Sequence, residues 1–211
     1  CEGRRDYEGS DLLYGEILPL GVCKALGEDH LDGKNASVCF ELGMGTGKVA
    51  LQAWLQLPNL RKVVGIELAP SRYDIAEASL LRLQRRFPSV LRVRSHSPGD
   101  ELTVEADGGT GALIVGRGGH RDGLATSTHA RVLSFRRGDM TQVAASELLE
   151  AEVVFMEVVL PHCIYASVTR MLIGKLRDGA RMITYTDLRK FWVAKPEGSS
   201  KGKGATTAAA A

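Results

Sequence analysis

Acidic residues stand at the ends of four β-prone segments, an arrangement that could bind a cationic or hydroxylated ligand. They are Glu41, Glu67, Asp139 and Glu157, each at or just after a short apolar run. In a sheet of parallel strands the carboxyl ends share one edge, and ligands bind beyond that edge. We therefore expect these four carboxyl groups to converge on one edge of a sheet.

A glycine cluster, Gly43-Met-Gly-Thr-Gly47, follows the first of these segments. A phosphate loop is excluded, because Leu42 occupies its first glycine position and Val49 its Ser or Thr position. A dinucleotide loop is excluded because its third glycine position is Lys48. The tighter Gly-x-Gly-x-Gly spacing favours a loop that binds S-adenosyl-L-methionine.

The order of the acidic residues matches the parts of that ligand. Glu41 precedes the loop and would face an ammonium group. Glu67 suits a ribose diol, because a carboxylate can accept two hydrogen bonds. Asp139 could accept a hydrogen bond from the exocyclic amine of adenine. The alternative, that these acids only cap helices, would explain one or two of them.

The elements that must position these residues alternate between strand and helix. Apolar runs predict strands at 37–42, 61–67, 131–135, 152–156 and 181–185. Four helices are predicted. The first covers 48–57, the second begins at Pro70, the third runs from after Met140 to about Glu150, and the fourth begins at Pro161 and ends before Asp178. This alternation predicts an α/β fold with a mostly parallel central sheet and helices on both faces. In the helix from Pro70, the residues predicted to face inward are Ile75, Ala78, Leu80, Leu81 and Leu83.

We divide the chain into three regions. Residues 1–36 form a loop and a short helix that would cover the site, residues 37–193 form the core, and residues 194–211 form a flexible tail. A Gly/Arg-rich insertion at about 89–130 interrupts the core, and we expect it to contain a hairpin with strands near 102–104 and 112–115.

Composition excludes several classes of protein. With 44% hydrophobic and 25% charged residues and a net charge of +2, the chain is neither collagen-like nor wholly disordered. The four cysteines include no Cys-x-x-Cys pair, which argues against a zinc site. Cys39 and Cys163 lie in apolar runs and are predicted to be buried thiols of a reducing compartment. The start at Cys1 rather than Met suggests a piece of a longer chain.

Several motifs together resemble one known family, the disruptor-of-telomeric-silencing (Dot1-like) histone lysine methyltransferases. The likeness runs from about Leu12 to Asp187 and is interrupted by the insertion. It rests on Tyr14-Gly-Glu16, Glu41-Leu-Gly-Met-Gly-Thr-Gly47 with Gln52, Gly65-Ile-Glu67, Arg137-Gly-Asp-Met140 and the 153–156 strand. The Tyr-Gly-Glu and Arg-Gly-Asp motifs are the more specific ones, since all class I methyltransferases share the others.

The resemblance implies a Rossmann-like class I methyltransferase fold and a nuclear enzyme. Such an enzyme transfers a methyl group from S-adenosyl-L-methionine to a core-histone lysine of the nucleosome and releases S-adenosyl-L-homocysteine. No metal is implied. Tyr14 and Glu157 are the catalytic candidates. The implied cofactor-binding residues are Tyr14, Gly15, Glu16, Glu41, Gly43, Gly45, Gly47, Gln52, Glu67, Leu68, Asp139 and Met140.

The chain departs from the family pattern in three places. Glu157-Val158-Val159 stands where the family has Asn-Asn-Phe. A carboxylate beside a lysine favours the unreactive ammonium form, so Glu157 either accepts the proton or points away. The family's helical lobe upstream of Tyr14 is missing. Its two final strands are not evident after Tyr185, and either the 89–130 insertion replaces them or the chain is truncated.

Two other functions fit the same residues. One is methylation of RNA or another non-histone acceptor, and the other is non-catalytic binding of adenosylmethionine. His162 could act as a base, although a lone His at a helix start is more often a capping residue. Two basic clusters predict either contact with nucleosomal DNA or ordinary solvated surfaces: Arg82, Arg85, Arg86, Arg92 and Arg94 form the first, and Arg131, Arg136 and Arg137 the second.

Overall fold

The computed structural model describes residues 16–106 and 129–191. Among these, the strands are β1 (Val38–Leu42), β2 (Lys62–Glu67), β3 (Leu91–Ser97), β4 (Glu101–Ala106), β5 (Arg131–Arg137), β6 (Val153–Met156) and β7 (Arg181–Thr184). The α-helices are α1 (Pro19–Ala25), α2 (Lys48–Gln56), α3 (Pro70–Arg86), α4 (Ala145–Leu148) and α5 (His162–Lys175). None of these helices has the length and apolarity needed to cross a membrane.

The seven strands form one sheet in the order β3-β4-β5-β2-β1-β6-β7. β1 is central and pairs in parallel with β2 on one side and β6 on the other. β5 and β7 extend the parallel part outward. The chain thus runs from β1 to β2, crosses to the edge strand β3, returns through β4 to β5, and then crosses to β6 on the other side of β1. The predicted mostly parallel, Rossmann-like α/β fold is confirmed, and the strand order changes direction at β1, where ligands of such sheets bind.

Helices cover both faces of the sheet, and each face has its own apolar core. Helices α1, α2 and α3 pack on one face, around Trp54 and Tyr73. Helices α4 and α5 pack on the other face, around Phe40 and Tyr165. Strand residues alternate between the two cores because successive side chains of a strand point to opposite faces.

The inward face of α3 differs from the prediction. Tyr73, Ala76 and Leu80 are buried, whereas Ile75 is 53% exposed and Ala78 is also exposed. The residues at positions 73, 76 and 80 share one side of a helix. The prediction for Ile75 and Ala78 was wrong because it counted aliphatic residues only, whereas the aromatic ring of Tyr73 is the one that fills the core.

The first part of the insertion forms a hairpin from β3 and β4. β4 pairs antiparallel with β5, so the hairpin extends the sheet at the edge opposite to β7. The described part of the insertion, 89–106, therefore lies on the opposite side of the sheet from β7. The second predicted strand of the insertion, at 112–115, lies outside the described residues.

The two cysteines predicted to be buried differ in environment. Cys39 is fully buried in β1, and burial raises the pKa of its thiol. Cys163 is exposed near the start of α5 and is disulfide-bonded. The prediction of a buried thiol at Cys163 was wrong, and the cysteine pattern gives no support for a reducing compartment.

A buried arginine joins β5 to the end of α2. Arg131 is 7% exposed, and its guanidinium lies 5.1 Å from the centroid of the Trp54 ring. It donates hydrogen bonds to the carbonyls of Trp54, Leu57 (2.9 Å) and Leu60 (3.0 Å). Burial lowers the pKa of Arg131 to about 10. Arg131 is therefore part of the interior and cannot belong to a basic docking surface.

We expect Arg131→Met to lower the free energy of unfolding by about 3 kcal/mol, because it leaves several buried carbonyls without a donor. Urea denaturation followed by circular dichroism measures the change. Arg177→Met is the control, since it removes an ion pair with Glu152 at a half-exposed site and should cost at most about 1 kcal/mol. Equal losses in the two variants would contradict a structural role for Arg131.

Candidate functional site

The glycine loop after β1 closes back onto the neighbouring strand β2. The backbone N–H groups of Gly43 and Met44 both donate to the carbonyl of Ile66, at 2.9 Å. Gly43, Gly45 and Gly47 have φ angles of 80°, 56° and 76°. This left-handed region is open to glycine and strained for other residues. Glycine is thus required by the backbone at all three positions, and Gly47 leads directly into α2.

Close packing gives two glycines of this region a second role. A Cβ atom at Gly47 would lie 2.7 Å from Cζ of Phe135, and one at Gly65 would overlap the sulfur of Met44. The backbone of Gly47 thus packs directly against the ring of Phe135. Helix α2 begins at the next residue, above the carboxyl ends of β1 and β2. The N-terminus of α2 therefore faces the predicted ligand edge.

Glu41, in β1, is one of two deeply buried acids of this edge. It is 5% exposed, and its Oε2 accepts a 2.7 Å hydrogen bond from Ala50 N in α2. Burial raises the pKa of Glu41 well above its usual value, and repulsion from Glu67, Glu16 and Glu157 raises it further. The N–H of Ala50 acts in the opposite direction. Burial thus disfavours the carboxylate form of Glu41, and a cationic ligand beside it would favour that form.

Glu67, at the end of β2, binds the glycine loop as well as its own strand end. Oε2 accepts from Gly45 N at 2.7 Å, and Oε1 accepts from Ala69 N at 2.8 Å. Arg72 in α3 donates to the same Oε1 at 2.9 Å. Glu67 is 3% exposed. Backbone N–H donors therefore hold the carboxylate of Glu67 in position. The ion pair of Glu67 with Arg72 was not predicted from the sequence.

The segment before α1 reaches the same loop. Glu16 accepts a 2.7 Å hydrogen bond from Thr46 Oγ1 and an ion pair from Lys48, on either side of Gly47. The structure thus places Glu16 beside the glycine loop, as the resemblance implies. Tyr14 and Gly15, the other two residues of this motif, lie outside the described residues.

Gln52, in α2, contacts helix α1. Its side-chain amide donates to the carbonyl of Pro19 at 2.8 Å, which ties α2 to α1. In this structure it holds the covering helix in place, and a direct contact with a ligand stays a prediction.

The residues predicted for the adenine end lie at the ends of β2 and β5. Gly138 N donates to the carbonyl of Glu67 at 2.8 Å, which joins the two strand ends. Asp139 is exposed, and its Oδ1 accepts from the N–H and hydroxyl of Thr141 at 2.8 and 2.7 Å. Leu68 is 52% exposed, and Met140 packs partly against the α5 core. The two exposed residues, Leu68 and Asp139, are thus accessible to a ligand.

Glu157 follows β6 on the other side of β1. It is half-buried, and this burial raises the pKa of its carboxyl group. The next residue, Val158, packs over the loop, since a Cβ at Gly43 would lie 3.1 Å from Val158 Cβ. His162 is exposed, and its ring packs edge-to-face with the ring of Phe191, with the two ring centroids 5.2 Å apart. Glu157 thus approaches Glu41 from the β6 side and raises its pKa. His162 instead makes an aromatic contact with Phe191.

These residues fit the parts of adenosylmethionine. Glu41 accepts one protein hydrogen bond among the described residues, and an ammonium group beside it would stabilise the carboxylate that burial disfavours. Glu67 lies at the next strand end, where Oε2 accepts one described hydrogen bond, from Gly45 N, and can accept another from a ribose hydroxyl. Asp139 and Leu68 border the far end, and Glu157 borders the near end.

Comparison with known proteins supports the resemblance over half of the chain. Over 107 residues, 50% of this chain, it is 34% identical to a histone-lysine N-methyltransferase, H3 lysine-79 specific, of Aspergillus fumigatus. It is equally identical over 104 residues to the protein of the same name from Emericella nidulans. The chain is similar to histone H3 lysine-79 methyltransferases. The matched segments span 20% and 19% of these relatives.

Other comparisons add little. No protein-family profile matches the chain. Solved structures of similar fold include the rRNA methyltransferase aviRa from Streptomyces viridochromogenes, with a TM-score of 0.42 and 15% identity over 81% of this chain and 74% of that one. Precorrin-6y C5,15-methyltransferase from Geobacter metallireducens has a TM-score of 0.41 and 11% identity over 73% of this chain and 56% of that one. Likenesses of this level do not bear on the substrate.

We expect Glu41→Gln to stabilise the free protein at neutral pH and to weaken cofactor binding. The raised pKa means that ionising Glu41 opposes folding as pH rises above about 4.5, the usual Glu value. Glutamine keeps an acceptor for Ala50 N without the charge. Loss of one charged hydrogen bond should weaken adenosylmethionine binding about 10- to 100-fold.

Thermal melts from pH 4 to 8 and calorimetry with adenosylmethionine measure the two effects. The melting temperature of the variant should exceed that of the wild type at pH 7, and the gap should close toward pH 4. Glu150→Gln, which affects only an ion pair with Lys62, is the control. A Glu41→Gln protein that melts lower at pH 7 would contradict the prediction.

Proposed function

We propose that this chain is the catalytic core of an S-adenosyl-L-methionine-dependent histone-lysine N-methyltransferase that acts on a core histone of the nucleosome. The observation that carries the proposal is the arrangement of Glu41, Glu67 and Glu157 at adjacent strand ends around the glycine loop. The similarity to H3 lysine-79 methyltransferases supports the histone as the acceptor.

The proposed reaction needs alignment more than chemical assistance from the protein. Adenosylmethionine, when bound, supplies an activated methyl group for direct displacement by a nitrogen atom. Glu41 would hold the amino-acid end, and Glu67 the ribose. Val158, packed against Gly43, would help to exclude water. These residues position the reactants, which is a large part of the catalysis of a two-substrate reaction.

Glu157 would accept the proton that a lysine ammonium must lose before attack. Its partial burial raises the pKa of the carboxyl group, and a base is more effective when its pKa lies nearer to the working pH. The family's Asn-Asn pair cannot perform this step. We therefore assign a proton-accepting role to Glu157, in place of a purely uncharged lysine channel.

Radiolabelled methyl transfer to nucleosomes, free histones and RNA, measured side by side, tests the acceptor. We expect label on histone in nucleosomes. Glu157→Gln should lower kcat by about 100-fold or more, because it removes a general base, and should leave the Kd for adenosylmethionine unchanged. Glu67→Ala should instead weaken binding in calorimetry.

Each alternative predicts a different pattern of results. Label on RNA alone would replace the histone assignment with an RNA methyltransferase. Binding of adenosylmethionine without transfer to any acceptor would favour a non-catalytic binding module. No binding by the wild-type protein, with Glu67→Ala indistinguishable from it, would contradict the enzyme proposal altogether. An unchanged kcat in Glu157→Gln would remove Glu157 from the mechanism.

We further propose that the end of α3 contacts nucleosomal DNA and that the protein works in the nucleus. Arg82, Arg85 and Arg86 are exposed on the last turns of α3 and form no ion pair with the residues described. The second basic cluster is neutralised, since Arg136 pairs with Glu147 at 2.7 Å and Arg137 with Asp100 at 2.9 Å. Within the described residues, these three arginines at the end of α3 therefore keep unpaired charge, whereas Arg92 of the first cluster pairs with Glu105 at 3.4 Å.

Replacing Arg82, Arg85 and Arg86 together by Gln should weaken nucleosome binding and reduce its dependence on salt. For each phosphate that the variant no longer neutralises, the slope of log K against log salt should fall by about 0.9. Fluorescence anisotropy with labelled nucleosomes between low and moderate salt measures the slope. Arg177→Gln, which breaks a surface ion pair with Glu152, is the control. A slope equal to that of the wild type would contradict DNA contact by α3.

A further inference from the structure

The segment that carries Glu157 has no regular structure of its own. Residues 157–161 follow β6 and precede α5 without a helix or a strand. An irregular segment keeps one conformation only when other parts of the protein hold it. The position of the Glu157 carboxylate therefore depends on contacts made by its neighbours.

One contact is the packing of Val158 on the glycine loop. The second contact is a hydrogen bond to a tyrosine. Leu160 N donates to the hydroxyl oxygen of Tyr165 at 3.0 Å, and the donor lies in a partly buried environment. Tyr165 lies on α5 and is itself only 5% exposed.

The hydroxyl of Tyr165 is also joined to the end of β7. It shares a 2.8 Å hydrogen bond with Thr186 Oγ1, two residues beyond the last residue of that strand. The Tyr165 ring stacks on Phe191, with the ring centroids 4.8 Å apart and an interplanar angle of 17°. One side chain thus links the segment after β6 to the segment after β7, and its ring is held by independent packing.

We propose that Tyr165 is a positioning residue for the transfer reaction, because its hydroxyl fixes the 157–161 segment and with it the Glu157 carboxylate. The inference rests on the proposed function. Tyr165 does not contact Glu157 directly, so it acts through the backbone of Leu160. Removing the hydroxyl leaves a partly buried N–H without its acceptor and releases the segment, whereas the glycine loop, Glu41 and Glu67 keep their own contacts.

Tyr165→Phe tests this proposal, because phenylalanine preserves the ring and its stacking on Phe191. We expect kcat for nucleosomes to fall about 10- to 100-fold, as a displaced catalytic group would cause, with an unchanged Kd for adenosylmethionine. Thr186→Val, which removes the second partner of the hydroxyl, should lower kcat by a smaller factor. Both variants should increase hydrogen exchange in a peptide that covers residues 157–161.

Tyr73→Phe is the matched control. Tyr73 is a fully buried tyrosine of the opposite core, and its hydroxyl makes only long contacts, 3.5 Å to Glu77 Oε1 and 3.5 Å to the carbonyl of Phe135. It should leave kcat and the exchange of the 157–161 peptide unchanged. A general effect of losing a buried hydroxyl would instead appear in both tyrosine variants.

The outcomes separate this inference from the proposed function. Wild-type kcat in Tyr165→Phe, or equal loss of kcat in Tyr73→Phe, would overturn the positioning role while leaving the methyltransferase intact. If the wild-type protein methylated no acceptor, the proposed function would fail. The hydrogen-exchange comparison would still decide whether Tyr165 holds the segment. Unchanged exchange in Tyr165→Phe would overturn the positioning role, and increased exchange in Tyr165→Phe but not in Tyr73→Phe would support it.

Discussion

The burial of Glu41 at the end of the central strand is the constraint on which the site depends. A buried carboxylate is unfavourable unless donors or positive charge compensate it. The protein supplies one donor, Ala50 N, and it can do so only because the glycine loop turns α2 directly above β1. The left-handed backbone of Gly43 and Gly47 makes that turn. Burial raises the pKa of Glu41, so the carboxylate that a cationic ligand would bind is the form that destabilises the free protein.

The topology explains why acids from distant parts of the chain meet near Glu41. β1 has β2 on one side and β6 on the other, and the chain leaves and returns across it. Glu67 therefore approaches from the β2 side with the α3 core behind it, and Glu157 approaches from the β6 side with the α5 core behind it. The two groups are held differently: backbone donors fix Glu67, whereas Glu157 lies on an irregular segment that Tyr165 anchors.

Prediction from the sequence succeeded where the determining forces are local. The five parallel strands, the glycine loop and the acids at strand ends appear at the predicted positions, because turn geometry and hydrophobic periodicity act over a few residues, whereas β3 was not predicted. It failed where a residue type is ambiguous. Tyr73 rather than Ile75 fills the α3 core, Cys163 is exposed despite its apolar neighbours, and Arg131 lies in the interior although arginine is usually at the surface.

The sequence by itself determined the order of the elements, the conformation of the glycine loop and the sequence positions of the carboxylates. Only the tertiary structure decided which partners those groups have. It placed the β3–β4 hairpin beside β5, Glu67 against the N–H of Gly45, and Arg131 beneath carbonyls more than seventy residues earlier in the chain. Such contacts form only after the strands have paired and the helices have packed, because no local pattern records which surfaces will face each other.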